Sequence, residues 1–353
     1  MFGMRGRKGN YAYACARIKA KKKFLLEKDT YPKLMMMDLS EIGRFLGETQ
    51  YKEEMTELAS RYEGVNLIEL GTSRNLARMN TQVLRFCTGD LHDMVEKYLA
   101  RWDMYNVKTI LRGKFYGATV EEIQEDIVAA GRMSEDNLNY LISLNTVNDV
   151  LDELKRKTDL SIPEEIKAQY DATGTLAPIE DFLDKLFYER LIGIIANKTV
   201  PEKLLLTFLR KEIDAANLMT LLKLKREGIE VDRMGGYFID GGQELTLKEL
   251  SRLSAMDSFE ATIGELTKLS FYEEIKEALE KTKERNSLTF VALAMQRHLA
   301  AQSQKFSHMY PLSVLPIIDY MIRKKIEVDN IRIIARGKES KLDADHIKEL
   351  LVV

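Results

Sequence analysis

The chain has 353 residues, and its 53 Lys and Arg residues nearly balance its 55 Asp and Glu residues, giving a formal net charge of -2. Hydrophobic residues make up 45% of the sequence, with only 20 glycines and 6 prolines, which argues against whole-chain disorder and against a collagen-like or turn-rich β architecture. The near-neutral charge argues against bulk nucleic-acid binding, and two cysteines, Cys15 and Cys87, are too few for a disulfide framework or a cysteine-based zinc site.

The sequence contains no run of apolar residues long enough to cross a membrane, which takes about 18 or more. The first ten residues carry Arg5, Arg7 and Lys8, but no apolar segment follows them. We therefore expect neither a signal peptide nor a membrane-spanning helix. The expectation is a soluble, cytoplasmic protein of two to three domains.

The first predicted element is a basic amphipathic helix at residues 11–26. Its lysines could contact nucleic acid or phospholipid: Lys19, Lys21, Lys22 and Lys23. A solvated helix face is the favoured interpretation, because Ile18 and the apolar residues 24–26 give the same segment a buried side.

Most of the remaining sequence has helical periodicity. Apolar residues recur every three or four positions from Leu91 to Ile110, which predicts one long helix. Strand-like alternation is confined to Tyr237-Phe238-Ile239, which lies between two glycine pairs and is interpreted as a tight hairpin or a linker. The predicted fold class is all-α.

An internal repeat is the most informative feature of the sequence. Residues 103–112, 214–223 and 327–336 share one pattern: an acid, two residues, Asn, an aliphatic residue and, six positions after the Asn, Arg or Lys. The three asparagines, Asn106, Asn217 and Asn330, are 111 and 113 residues apart. Glutamate pairs, ending at Glu54, Glu165 and Glu274, precede them by 52, 52 and 56 residues.

These anchors predict three pseudo-symmetric helical repeats of about 110 residues, at 1–118, 119–240 and 241–353. A capped helix is expected after each Asn helix, starting at the capping boxes of Thr119 and Thr246 and at the N-cap Asp343. In the first two copies this helix is taken to open the next copy, and the first copy is taken to lack an opening helix. We hypothesise that the last helix, at 343–352, packs near the first repeat and closes the set.

The three asparagines lie on apolar helix stripes and are predicted to be half buried. They could contact a ligand around a pseudo-three-fold axis, or they could hold a neighbouring loop or helix end. The second interpretation is favoured, because buried amides are normally satisfied inside the protein.

Basic residues end the same three helices: Arg112, Lys223 and Arg336. Helix-dipole complementarity explains them without a function. The alternative is a set of contacts to an acidic partner.

No catalytic, metal or cofactor signature is present. The four histidines lack metal-ligand spacing, and no P-loop, dinucleotide-binding or nucleophile-elbow motif occurs. Each glutamate pair stands near a predicted helix start, where the helix dipole favours negative charge, so general acid–base catalysis is the weaker interpretation. We predict a non-catalytic, architectural protein without metal or cofactor.

The sequence resembles the C subunit of archaeal A-type ATP synthases, a family homologous to the d subunit of vacuolar ATPases. The resemblance is carried by residues 106–114 and 327–338 and by the opening 11–17, and it covers essentially the whole chain. The middle copy departs most, since Leu224 stands where the other copies have Gly113 and Gly337.

The resemblance implies a funnel-shaped, all-helical body with pseudo-three-fold symmetry. It implies a central-stalk rotor protein that joins the soluble shaft to the membrane proteolipid ring and passes torque for proton or sodium transport. It also implies peripheral attachment at the cytoplasmic face of the membrane. The alternative that the residues leave open is a free helical-repeat scaffold or a ligand-binding module.

Overall fold

The structure is a computed structural model that describes residues 8–158 and 160–353, apart from the side chains of Asp232 and Arg233. All regular elements of the described residues are helices, so the all-α prediction is confirmed. The basic residues Arg5 and Arg7, used in the signal-peptide argument, lie outside the described residues.

After α1 (Tyr11–Lys22), the helices follow one order three times: three shorter helices, two longer ones and a final short one. The first series is α2 (Thr30–Met36), α3 (Leu39–Leu46), α4 (Lys52–Leu58), α5 (Gly64–Phe86), α6 (Gly89–Tyr116) and α7 (Val120–Asp126). The second is α8 (Glu135–Ser143), α9 (Val147–Lys157), α10 (Glu164–Thr173), α11 (Ala177–Gly193), α12 (Val200–Arg226) and α13 (Val231–Met234). The third is α14 (Leu247–Ser254), α15 (Phe259–Glu265), α16 (Tyr272–Arg285), α17 (Thr289–Met309), α18 (Leu315–Glu339) and α19 (Ala344–Leu350).

The helix order corrects the predicted equivalence of the capped helices. Thr119 and Asp343, which cap α7 and α19, each lie 13 residues after their asparagine, whereas Thr246, which caps α14, lies 29 residues after Asn217. The counterpart of α7 is therefore the one-turn helix α13. It has no capping side chain, so the sequence carries no signal for it.

Two further consequences concern the limits of the copies. The helix α2 precedes α3 as α8 precedes α9, so the first copy does have an opening helix. The helix order also puts α7 at the end of the first series, whereas the predicted second repeat starts at residue 119. The limits 1–118, 119–240 and 241–353 stay a prediction.

The described residues form two compact units. The first runs to Leu183 and also contains Leu312–Leu351, and the second contains Asp184–Pro311 with Val352–Val353. In the second unit, α17 packs against both α12 and α16. Buried aliphatic and aromatic side chains on these helices and next to them, such as Leu221, Phe271 and Val291, form its core.

In the first unit, α18 is the central helix. It packs along α5 and also contacts α1 and α2, so helices from the two ends of the sequence share one core. The Cys15 thiol donates to the Ser313 carbonyl oxygen at 3.2 Å, and the Lys338 ammonium donates to the Met35 carbonyl oxygen at 2.7 Å. The last helix, α19, packs on α18.

Glycines explain how α7 and α19 lie so close to the preceding long helix. A Cβ atom on Gly113 would stand 2.4 Å from Cγ1 of Ile123, and one on Gly337 would stand 2.7 Å from the same atom of Ile347. Leu224 fills this position in the middle copy, where only the one-turn α13 follows.

Replacing Gly337 with alanine should therefore destabilise the protein. We expect a loss of about 1–3 kcal/mol from overpacking against Ile347, measured by urea unfolding. The control is Gly264→Ala in α15, an exposed position where a Cβ atom meets nothing within 4 Å. That change should be neutral or stabilise by up to about 1 kcal/mol. Equal stability of the two variants would contradict the packing argument.

Candidate functional site

The first repeated asparagine holds a segment of backbone. Asn106 is fully buried on α6; its Nδ2 donates to the Val128 carbonyl oxygen at 2.8 Å, and its Oδ1 accepts from the Val128 N–H at 2.9 Å. One amide thus satisfies both backbone groups of a residue beyond α7, as buried polar groups require.

The second asparagine makes the same pair of bonds at the same offset. Asn217 Nδ2 donates to the Ile239 carbonyl oxygen, and Oδ1 accepts from the Ile239 N–H, both at 2.8 Å. The held residue lies 22 positions further on in both copies. The segment 237–239, interpreted as a hairpin or a linker, is not a hairpin: a short 3₁₀ helix, Gly235–Tyr237, leads into extended backbone that Asn217 holds.

The third asparagine is also fully buried. Asn330 hydrogen-bonds with the side chain of Tyr31, on α2 of the first series. The arrangement agrees with the interpretation in which these side chains hold neighbouring segments. Their assignment as equivalent positions of three repeats stays a prediction.

The acid three residues before each asparagine is a second anchor. Asp103 accepts from the N–H groups of Arg132 and Met133 at 2.9 and 3.0 Å. Asp214 accepts from those of Glu244 and Leu245 at 3.1 and 2.9 Å. Each carboxylate therefore fixes the segment that leads into the next series, just before α8 or α14.

The third acid, Glu327, binds residues that lie far earlier in the sequence, rather than a segment ahead of it. It accepts from the backbone N–H of Leu26, just before α2. It also accepts from Gln50 Nε2 at 2.9 Å and from the Tyr51 hydroxyl at 2.6 Å. The position that joins successive series elsewhere thus joins the two ends of the sequence here.

A lysine completes this buried cluster. The Lys324 ammonium is fully buried, lies 2.8 Å from Oε1 of Glu327 and stands 3.9 Å from the centre of the Tyr51 ring. Burial lowers the pKa of Lys324, while the charge of Glu327 acts in the opposite direction. Because separating such a pair leaves a buried charge without compensation, the cluster keeps its members together.

Two of the predicted partner-contact residues bind glutamates of the first unit. Arg112 donates to both carboxylate oxygens of Glu180, at 2.5 and 2.8 Å. Arg336 binds Glu69 in the same two-bond manner, with the second bond at 3.0 Å. Both guanidinium side chains remain exposed, at 55% and 60%.

The third basic residue, Lys223, differs. Glu69 lies 37 residues before Asn106, and Glu180 lies 37 residues before Asn217. The residue at the same distance before Asn330 is Leu293, not a glutamate. The exposed Lys223 therefore has no glutamate at the corresponding position. As contacts to an acidic partner, all three residues stay a prediction.

The glutamate pairs lie in the first turns of α4, α10 and α16. Glu54 is buried and binds Arg78, with the second bond at 3.0 Å, and Asn75 at 3.0 Å. Within residues 8–158 and 160–353, no group of three His, Cys, Asp or Glu side chains is placed to hold a metal ion. In the same residues, no helix is long and apolar enough to cross a membrane.

Removing the amide of Asn217 should release the segment that it holds. Asn217→Ala leaves the buried N–H and carbonyl of Ile239 unpaired, at a cost of about 2–4 kcal/mol. We expect much faster hydrogen exchange at the Ile239 amide and a lower free energy of unfolding. The control Asn145→Ala alters an exposed asparagine and should change stability by less than about 0.5 kcal/mol. An unchanged Ile239 amide would contradict the role of Asn217.

Three buried tyrosines predict a loss of stability at alkaline pH. Burial, aided by the charge of Glu327, raises the pKa of Tyr31 to about 12 and raises the pKa values of Tyr51 and Tyr320. An unfolded tyrosine ionises near pH 10. Above that pH the unfolded state releases protons that the folded state keeps, so this contribution is complete below about pH 10 and is lost as the pH rises towards 12.

The alkaline loss can be measured by urea unfolding at a series of pH values. Tyr31 alone should contribute about 3 kcal/mol between about pH 10 and 12. Tyr31→Phe should reduce the slope of stability against pH in this range. A free energy of unfolding that stays flat above about pH 10 would contradict the assignment.

Known proteins are similar to this chain over nearly its whole length. A family model described as ATP synthase (C/AC39) subunit matches residues 14–350. A protein of Methanococcoides burtonii, named as the C subunit of an A-type ATP synthase, is 39% identical over 349 residues, covering 99% of this chain and 96% of its own length.

Two further proteins with the same name agree. The one from Methanosarcina acetivorans is 39% identical over 98% of this chain and 93% of its own length. The one from Halorubrum lacusprofundi is 34% identical over 98% of both chains. The resemblance seen in the sequence is confirmed: the chain belongs to the ATP synthase (C/AC39) subunit family. It is a non-catalytic subunit of an A/V-type ATP synthase and is not itself an enzyme.

Proposed function

We propose that the chain is the central-stalk adaptor of its ATP synthase, joining the soluble rotor shaft to the membrane proteolipid ring and transmitting torque for proton or sodium transport. Its partners are the shaft proteins and the ring. It attaches peripherally at the cytoplasmic face of the membrane. Membership of the family supports this proposal, and so do the side-chain hydrogen bonds that hold the helices together.

A torque-bearing part must resist separation of its helices. The longest helices of the three series, α6, α12 and α18, have 28, 27 and 25 residues. Each carries, at matching positions, an acid and an asparagine on its buried face. In α6 and α12 these side chains fix segments 22 to 31 residues further along the chain.

The observation that carries the proposal is the bond between Glu327 and the N-terminal segment. A helical repeat with free ends can yield from either end under load. Here the backbone of Leu26 and the side chains of Gln50 and Tyr51 are bonded to α18. Within the first unit, force on the segment around Leu26 therefore passes directly to α18 through buried and partly buried bonds.

Co-fractionation tests the proposal. Native membranes are extracted with mild detergent, the rotary complex is isolated by size, and the chain is quantified by mass spectrometry. We expect one copy per complex, retained with the ring after the catalytic head is stripped. A complex-free soluble pool without other synthase proteins would contradict the proposal and favour the alternative, a free scaffold or ligand-binding module.

A double variant tests whether the cluster of Lys324 and Glu327 contributes to torque transmission. Lys324→Met with Glu327→Leu replaces the buried pair by apolar side chains of similar size, a change that folded proteins often tolerate. ATP hydrolysis by the assembled complex should continue, while ion pumping per ATP should fall. The control is Lys283→Met with Glu280→Leu, an exposed pair at the same three-residue spacing and 3.0 Å apart. Its coupling should equal that of the natural protein; unchanged coupling in both variants would contradict the role of the cluster.

A further inference from the structure

The positive charge of the chain is concentrated at its N-terminus. Residues 8–28 contain seven Lys and Arg residues and one acid, Glu27. Residues 29–353 contain 44 basic and 54 acidic residues, a net charge of -10. The segment that contains α1 is therefore strongly cationic against an acidic remainder.

The buried side of α1 uses only part of this segment. Ala14, Cys15 and Ile18 are buried where α1 packs on α5 and α18. Lys21 donates to Gln82 at 2.7 Å, and Lys22 pairs with the buried Asp319. These two lysines therefore serve the attachment of α1 to the rest of the first unit.

The opposite side of α1 is an exposed stripe of aromatic and small residues. It consists of Tyr13, Ala16 and Ala20 on the helix and Phe24 on the turn that follows, at spacings of three, four and four residues. Such spacing places side chains on one helix face. Tyr13 is 52% exposed and Phe24 is 65% exposed.

Cations stand on both flanks of this stripe. Lys19 and Lys23 are exposed on one side. Arg17, on the other, donates to the Tyr13 hydroxyl at 2.8 Å and lies 5.7 Å from the centre of the Tyr13 ring. Aromatic rings beside exposed Lys and Arg form the surface that helices present to the interface between lipid headgroups and acyl chains.

We propose that this face of α1, Tyr13 to Phe24 with Lys19 and Lys23, lies on the headgroups of anionic phospholipids. The stripe has only alanines between its aromatic ends and carries cations on both flanks, so it suits a flat anionic surface better than the apolar groove of a partner helix. Charge provides most of the attraction, because the apolar area is small. The inference goes beyond the proposed function, which assigns no lipid contact to this chain, and it does not depend on it.

Sedimentation of the full chain with vesicles tests this contact. We expect binding to vesicles of equal parts phosphatidylglycerol and phosphatidylcholine, weakening as salt rises, and no binding to phosphatidylcholine alone. Lys19→Gln with Lys23→Gln should weaken binding about 25-fold, at about fivefold per cation. The control Lys276→Gln with Lys283→Gln removes two exposed lysines of α16 and should leave binding unchanged.

Fluorescence reports whether the stripe itself is at the interface. Phe24→Trp should shift its emission to the blue with anionic vesicles, against a constant background from the buried Trp102, the one natural tryptophan. Absence of binding at low salt, equal binding to neutral vesicles, or equal loss in the α16 control would each overturn the proposal. Binding of poly-glutamate with the same lysine dependence, but not of vesicles, would also overturn it and assign the face to an acidic protein. Retention with the ring is measured separately, so failure here leaves the proposed function intact.

Discussion

The carboxylate of Glu327 has to be satisfied away from water, and the first unit is built around how that happens. It accepts bonds from Leu26, Gln50 and Tyr51, which lie 276 to 301 residues earlier in the sequence, and it neutralises the buried Lys324. A buried carboxylate without such partners would be severely destabilising. The same constraint therefore fixes the N-terminal segment, orients α18 and brings helices of the first and third series into one core.

The repeated acid and asparagine show how one sequence pattern meets two situations. In α6 and α12 the chain continues, and the acid binds backbone about 30 residues ahead. In α18, Glu327 binds the segment before α2 instead. Asp103 and Asp214 are satisfied by backbone N–H groups, whereas Glu327 combines one backbone N–H with side-chain donors, and both arrangements meet the need of a buried carboxylate for partners. The two situations also differ in which part of the chain supplies the partner.

Local pattern made much of this predictable. The helix period predicts the all-α fold class, which the structure confirms, and the long helices. The spacing of Asn106, Asn217 and Asn330 predicts a repeat whose limits stay a prediction. Burial of those amides, and hence a role in holding nearby backbone, followed from their place on apolar stripes. The acid three residues before each asparagine belongs to the same motif. Its role in binding backbone could not be predicted, because a buried acid and a solvent-exposed acid on a helix have the same local sequence pattern.

Other features had no local signal. Glu69 pairs with Arg336 across 267 residues, and only the equal 37-residue offsets of Glu69 and Glu180 from their asparagines could have indicated it. The one-turn α13 escaped prediction because it lacks a capping side chain. The match of Thr246 to Thr119 is wrong because an N-cap residue identifies a helix start but not its place in a repeat.

Hydrogen exchange at the Leu26 amide tests the central claim most directly, namely that Glu327 fixes the beginning of the chain to α18. In the Lys324→Met, Glu327→Leu variant, the Leu26 amide should exchange at least about 100-fold faster, as expected for the loss of roughly 3 kcal/mol of local protection. The amides of Arg132 and Met133, bound to Asp103, should keep their protection. An unchanged Leu26 amide, or equal loss at all three, would contradict the account.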